Sequence, residues 1–285
     1  MGLVFLLIAA WKDLKTRQVP NELWIVMGST ASVILAVDIF IQGAGWKYYL
    51  IFIPILVLFM EAFYERPFLY EDGKVNILVL GWLVLPVVTF FYQVLEIGDK
   101  TLFWSLATIP IMMIMIFLFY FFRLIYGGAD AKALLVIAVL VPFYPQIEML
   151  NLFEMSTEVI QAMQLFFPFT LVILLNSSLI LLILPLIYFF INLKNGDIGL
   201  PQMFFGYREK VEEIPDSFVW PMEYYEGDKK RFQYMPRGDS EEDYRSLIEH
   251  DEKIVWVTPK IPFLVPMCVG FLLSYMIGNP ILVLF

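Results

Sequence analysis

Cysteine and histidine are nearly missing from this 285-residue chain, which has one of each, Cys268 and His250. A single cysteine excludes an intramolecular disulfide and a cysteine-based zinc site. The single histidine lies in a charged stretch and reads as a surface residue. Charge itself is scarce at 16% of residues, and the net charge of -9 argues against nucleic acid as a partner. There is no internal repeat and no low-complexity tract. What the chain has in excess is apolar surface: 60% of residues are hydrophobic and 17% aromatic, with a mean hydropathy of +0.75. These values describe a polytopic helical membrane protein whose main solvent is lipid.

About eight apolar segments follow one another, at 3–11, 23–41, 48–63, 75–95, 102–125, 131–143, 163–191 and 261–285. A span needs about 20 residues for a hydrocarbon core about 30 Å thick, so the first and sixth fall short. The first reads either as a partial helix or as a span whose start lies upstream. No basic region precedes it and Lys12-Asp13-Leu14-Lys15 is a poor cleavage site, which counts against a signal peptide. The seventh is long and holds Pro168, Asn176 and Pro185, which predicts a tilt or kink.

If all eight cross, 17 of the 19 Lys and Arg residues fall on one side, with only Lys47 and Lys100 opposite. The short loops alone keep the same bias, so the basic side is cytoplasmic by the positive-inside rule. The predicted architecture is all-α: a transmembrane bundle over 1–191, a small soluble cytoplasmic subdomain over 192–260 and a last transmembrane helix over 261–285. The soluble stretch is rich in Pro, Tyr and acid, and Lys253-Ile254-Val255-Trp256-Val257-Thr258 alternates as a strand does.

Two carboxylates stand at the ends of apolar segments. Asp13 lies in Trp11-Lys12-Asp13-Leu14-Lys15-Thr16-Arg17-Gln18-Val19-Pro20-Asn21, and Asp130 lies in Gly127-Gly128-Ala129-Asp130-Ala131-Lys132. Ionised groups beside hydrocarbon are costly and tend to persist for a function. Four crossings separate the two, an even number, so both face the cytoplasm. Brought together they would form an aspartyl dyad, which needs no metal, cofactor, Cys or His. The bland readings are an Asp13–Arg17 pair one helical turn apart and Asp130 as a cap for the helix that follows. Asp38 and Glu61 read as interfacial residues rather than catalysts, and the Phe- and Met-rich stretches as packing or lipid-facing surface.

The first stretch resembles the first aspartate motif of the type IV prepilin peptidase family: an Asp, then basic residues, then a Pro-Asn helix start. Gly127-Gly128-Ala129-Asp130 with Lys132 resembles that family's Gly-x-Gly-Asp motif. Phe204-Phe205-Gly206 and Trp256-Val257-Thr258-Pro259 resemble the archaeal preflagellin (prearchaellin) peptidases, which carry a soluble insertion before the last span. The resemblance weakens over 46–95, where this chain has two extra spans, and at Ala129, where the pattern has Gly. Glycine would matter there if φ were positive or if substrate backbone came close. Bacterial relatives carry paired Cys-x-x-Cys motifs and a methyltransferase activity; their absence here points to the archaeal, protease-only type.

What the resemblance implies is a plasma-membrane aspartyl endopeptidase. It would cut the short basic leader from prepilin-like or prearchaellin subunits at the cytoplasmic face, using Asp13 and Asp130, with Gly127, Gly128, Ala129 and Lys132 as substrate-binding or motif residues. Lys15, Arg17 and Lys132 would hold lipid headgroups at the rim, and the acidic subdomain would attract the leader. Two alternatives stand beside it. One is an intramembrane protease of the presenilin or signal-peptide-peptidase type, whose Tyr-Asp and Pro-Ala-Leu motifs are absent here. The other is a proton- or cation-coupled transporter using the two Asp, although transporters place such acids near the bilayer midplane.

Overall fold

The computed structural model of the chain describes residues 1–64, 76–98, 100–125, 127–145, 167–234 and 240–279. Arg66, Lys74 and Arg237 of the basic side lie outside the described residues, as do Val75 of the fourth apolar segment and 163–166 and 280–285 of the seventh and eighth. Two compact units emerge, a helical one from residues 1–178 and 263–285 and a sheet-bearing one from 179–262.

The helical unit contains α1 (Gly2–Thr16), α2 (Asn21–Ile41), α3 (Phe52–Glu61), α4 (Ile77–Glu96), α5 (Lys100–Phe121), α6 (Gly128–Leu140), most of α7 (Phe169–Leu181) and α10 (Leu264–Ile277). Among the described residues four stretches are long and apolar enough to span a membrane: α2, α4, α5 and 169–195. The other predicted segments form shorter helices. The long seventh segment breaks after α7 at Leu182 and Ile183, and α8 (Leu184–Asn195) resumes with Pro185 in its first turn. There the missing proline N–H costs nothing, because the first turn has no intrahelical acceptors for it.

Short, Ala-rich α6 is the centre of this unit. Beyond Lys132 it is apolar all round, and Ala133, Leu134, Leu135, Val136, Ile137, Ala138 and Val139 are all buried. A helix without a polar face has to be enclosed, and α2 and α5 flank it, with α1 and α10 making smaller contacts. By contrast Leu78 and Leu95 of α4 are more than 80% exposed (83% and 81%), the profile of a lipid-facing helix. Close backbone approaches knit the helices together. A Cβ on Gly28 of α2 would meet Phe59 of α3 at 2.6 Å, and one on Gly270 of α10 would meet the Ser177 backbone nitrogen of α7 at 2.7 Å. Beside the second contact, Asn176 Nδ2 donates to Ser274 Oγ (2.8 Å) and to the Gly278 carbonyl (3.2 Å). Small residues with a polar bond across them are what helices use where lipid removes the hydrophobic incentive to associate.

The sheet-bearing unit departs from an all-α class. Strands β1 (Tyr207–Lys210), β5 (Ile254–Pro259) and β2 (Val219–Pro221) form an antiparallel sheet in the order β1-β5-β2, and β3 (Glu223–Glu226) pairs with β4 (Lys229–Phe232) as a hairpin. Helix α9 (Ser240–Glu249) packs Leu247 against Val211, Val219, Val255 and Val257. Two stretches that carried the archaeal resemblance meet here. The Gly206 Cα lies against the Val257 carbonyl so closely that a Cβ would sit 1.9 Å from its oxygen. Thr258 Oγ1 donates to the Phe205 carbonyl at 2.9 Å. Their role in this unit is to lock β5 to the chain entering β1.

Candidate active site

Antiparallel packing of α1 and α6 brings the two aspartates to one level. At the far end, a Cβ on Gly2 would lie 2.7 Å from Leu140 Cδ2, so the start of α1 abuts the end of α6. From Gly2 to Asp13 is eleven residues and from Leu140 back to Asp130 is ten, about 16 Å and 15 Å of helical rise. Both carboxyls therefore stand at the same end of the helix pair, one at the finish of α1 and one at the start of α6.

Asp13 sits in the last turn of α1, which Arg17 terminates in the left-handed region (φ 56°), its N–H returning to the Asp13 carbonyl at 3.0 Å. Thr16 Oγ1 bridges the Lys12 and Gln18 carbonyls, both at 3.0 Å. With Pro20 at the N-cap of α2, the connection between the helices is four residues of constrained backbone. Lys15 lies over the Trp11 ring, 4.1 Å from its centroid.

Asp130 is in the first turn of α6, and Gly127 is the N-cap with no side-chain cap of its own. The Asp130 carboxyl folds back onto Gly127: an added Cβ there would lie 2.1 Å from Oδ2 and 2.8 Å from Cγ. Glycine at 127 leaves the Asp130 carboxyl the space it occupies, since its φ of -87° is open to any residue. Gly128 is different, because its Cβ would meet only Tyr120 Oη at 3.8 Å, an ordinary contact. Ala129 continues the α6 helix, half-buried against the main core. It is absent from the positive-φ residues, so the conformational freedom that glycine would bring at this position is not used.

Both carboxyls lie outside the apolar runs, and their electrostatics are coupled. Burial raises the Asp130 pKa above the ordinary carboxylate value, and the neighbouring charge of Asp13 raises it further. Asp13 is also raised by burial, against the lowering effect of Arg17. Two neighbouring carboxyls that both resist ionising can share a proton.

Lys132, half-buried, reaches across to α2. Its Nζ donates to Asn21 Oδ1 at 2.8 Å, at the start of α2, and lies 4.9 Å from the centroid of the Phe63 ring. Asn21 was legible as part of a Pro-Asn helix start, but nothing in the sequence signalled its bond to a lysine 111 residues away. Asp38 and Glu61 have partners of their own. Asp38 accepts from Gln42 Nε2 (2.8 Å), and Glu61 accepts from Trp82 Nε1 (2.9 Å). Lys47 pairs with Glu96 at 2.8 Å. His250 stacks on Tyr225 in the other unit, 3.8 Å between centroids. Among the described residues no group of three or more His, Cys, Asp and Glu is placed to hold a metal ion.

Comparison with known proteins agrees with the resemblance seen in the motifs. Residues 199–279 match the family described as Archaeal Peptidase A24 C-terminus Type II. That stretch covers the sheet and α10 but neither aspartate. Over 99% of its length the chain is 23% identical to a preflagellin peptidase of Methanococcus voltae, covering 95% of that protein. It is 26% identical to an uncharacterized protein of Methanocaldococcus jannaschii over 99% of this chain and 92% of the relative. A preflagellin peptidase of Methanococcus maripaludis is 28% identical over 55% of this chain and 65% of its own length.

Proposed function

We propose that this chain is a membrane peptidase that removes the leader from preflagellin and related prepilin-like subunits, with Asp13 and Asp130 as an aspartyl dyad at the cytoplasmic face of the plasma membrane. Similarity to a preflagellin peptidase along essentially the whole chain supports the substrate class. What supports the chemistry is the placement of Asp13 where α1 ends and Asp130 where α6 begins, near enough for the charge of Asp13 to raise the pKa of Asp130.

In the working state the pair holds one proton. The ionised carboxylate takes a proton from a water molecule, whose oxygen attacks the scissile carbonyl carbon, while the protonated partner gives its proton to the carbonyl oxygen. The resulting gem-diol collapses, the C–N bond breaks, and the leaving nitrogen takes up a proton from the dyad. Because the two titrate together, base and acid are roles of the pair. The acidic residues of 192–260 supply charge complementary to a basic leader, and the apolar helices supply the bilayer contact. A transporter would need its acids near the midplane; Asp13 and Asp130 instead stand at helix ends.

Co-expression with a preflagellin and a gel-shift readout of leader removal tests the proposal. Cleavage by the unmodified chain, lost in Asp13→Asn and in Asp130→Asn, supports it. An unmodified chain that leaves preflagellin and every prepilin-like substrate uncut would overturn it.

A further inference from the structure

Lys132, at the start of the second turn of α6, sends its ammonium to a place that stability alone does not favour for a cation. The positive end of a helix dipole favours anions, and Lys132 reaches over the start of a second helix, α2, where the same preference holds. Its ammonium donates to Asn21 Oδ1 at 2.8 Å and lies 4.9 Å from the centroid of the Phe63 ring. A brace explains the placement better than a solvated surface charge does. Lys132 is two residues from Asp130 on α6, and Asn21 is eight residues from Asp13 across the constrained link that Arg17 and Pro20 shape. The Lys132–Asn21 bond therefore ties the helix that carries Asp130 to the start of α2, which a four-residue link connects to the helix that carries Asp13.

Resting on the dyad reading, we propose that Lys132 and Asn21 are positioning residues that fix the separation of Asp13 and Asp130, and that Lys132 does not itself bind substrate. The hydrogen bond sets the spacing, and the Phe63 ring holds the lysine stem in line for it. Arg17 acts on Asp13 from the α1 side, and Asp13 is the charged group that acts on Asp130. Loosening the brace lets the carboxyls drift apart, which weakens the repulsion that keeps the shared proton in place at higher pH.

The test uses the full-length protein in detergent or lipid, with Lys132→Met keeping the stem over Phe63 and Asn21→Ala removing the acceptor. Each is expected to lower kcat about 10- to 100-fold, as a misplacement of about 1 Å does, with KM within about threefold. The alkaline limb of the pH profile should move to lower pH. The double variant should lose no more than the worse single variant, since both break one bond, and Asn21→Asp, which keeps an acceptor, should retain most activity. A rise in KM with kcat and pH profile unchanged would overturn the proposal in favour of substrate binding by Lys132. Additive losses with no shift of the alkaline limb would overturn it in favour of a merely structural contact. Failure of the dyad reading is a separate outcome, seen as cleavage that survives Asp13→Asn and Asp130→Asn.

Discussion

Gly127→Ala isolates the geometry of Asp130 with a single methyl group. That methyl would lie 2.1 Å from Asp130 Oδ2 and 2.8 Å from Cγ, whereas unstrained contact begins near 3.4 Å. The carboxyl must therefore retreat by about 1 Å or more, a displacement that typically costs about 100-fold in rate at a reacting group. The stability cost is far smaller: exchanging Gly for Ala at an N-cap is worth about 1 kcal/mol, against the 5–15 kcal/mol that holds a typical domain folded. Helicity and elution volume should stay at wild-type values while the rate of leader removal falls about 100-fold. Gly128→Ala is the internal control, since its added carbon finds only Tyr120 Oη at 3.8 Å; it should cut within about twofold of wild type. A fully active Gly127→Ala, or equal losses at 127 and 128, would refute the idea that the Asp130 carboxyl works from its folded-back position.

Asp130 has a raised pKa in the folded chain, so the stability associated with its neutral form is present at low pH and declines as pH rises through the raised value. Asp130→Asn should thus melt higher than wild type at neutral pH, the gap closing below the ordinary carboxylate range. Asp13→Asn should move the infrared titration of the Asp130 carboxyl to lower pH by removing the neighbouring charge; an upward move would contradict the coupling. In the sheet-bearing unit, Gly206→Ala would place a carbon 1.9 Å from the Val257 oxygen. It should destabilise by about 3 kcal/mol, as severe overpacking does, read as heightened protease sensitivity between β1 and β5.

Long apolar segments were the most legible part of the chain. The predicted 23–41 became Asn21–Ile41, 75–95 became Ile77–Glu96 and 102–125 became Lys100–Phe121, because hydropathy over twenty residues needs no tertiary information. The proline-marked break in 163–191 was legible for the same local reason. Strand β5 showed its alternation, but β1 is Tyr-Arg-Glu-Lys and β3 and β4 are largely charged, so their pairing is set by partners rather than by their own pattern. The Gly227-Asp228 pair between β3 and β4 is a readable hairpin signal, hidden by its polar flanks. At the site, both aspartates were legible from their cost beside hydrocarbon. The reason for Gly127 was not, since it is the Asp130 carboxyl folded against it, and neither was the Lys132–Asn21 bond, which joins residues 111 apart. Ala129 looked like a conformational departure in the motif, and only its position within the α6 helix shows that no special φ is needed there.

The most direct measurement is the cleavage rate of purified protein on a preflagellin leader for Asp13→Asn, Asp130→Asn and the double variant. Each substitution removes one proton-transfer group while preserving shape. The account predicts that either single change abolishes cleavage and that the double change is no worse, because the two carboxyls act as a unit. Cleavage surviving either substitution, or a double variant much slower than both singles, would contradict catalysis by an Asp13–Asp130 dyad.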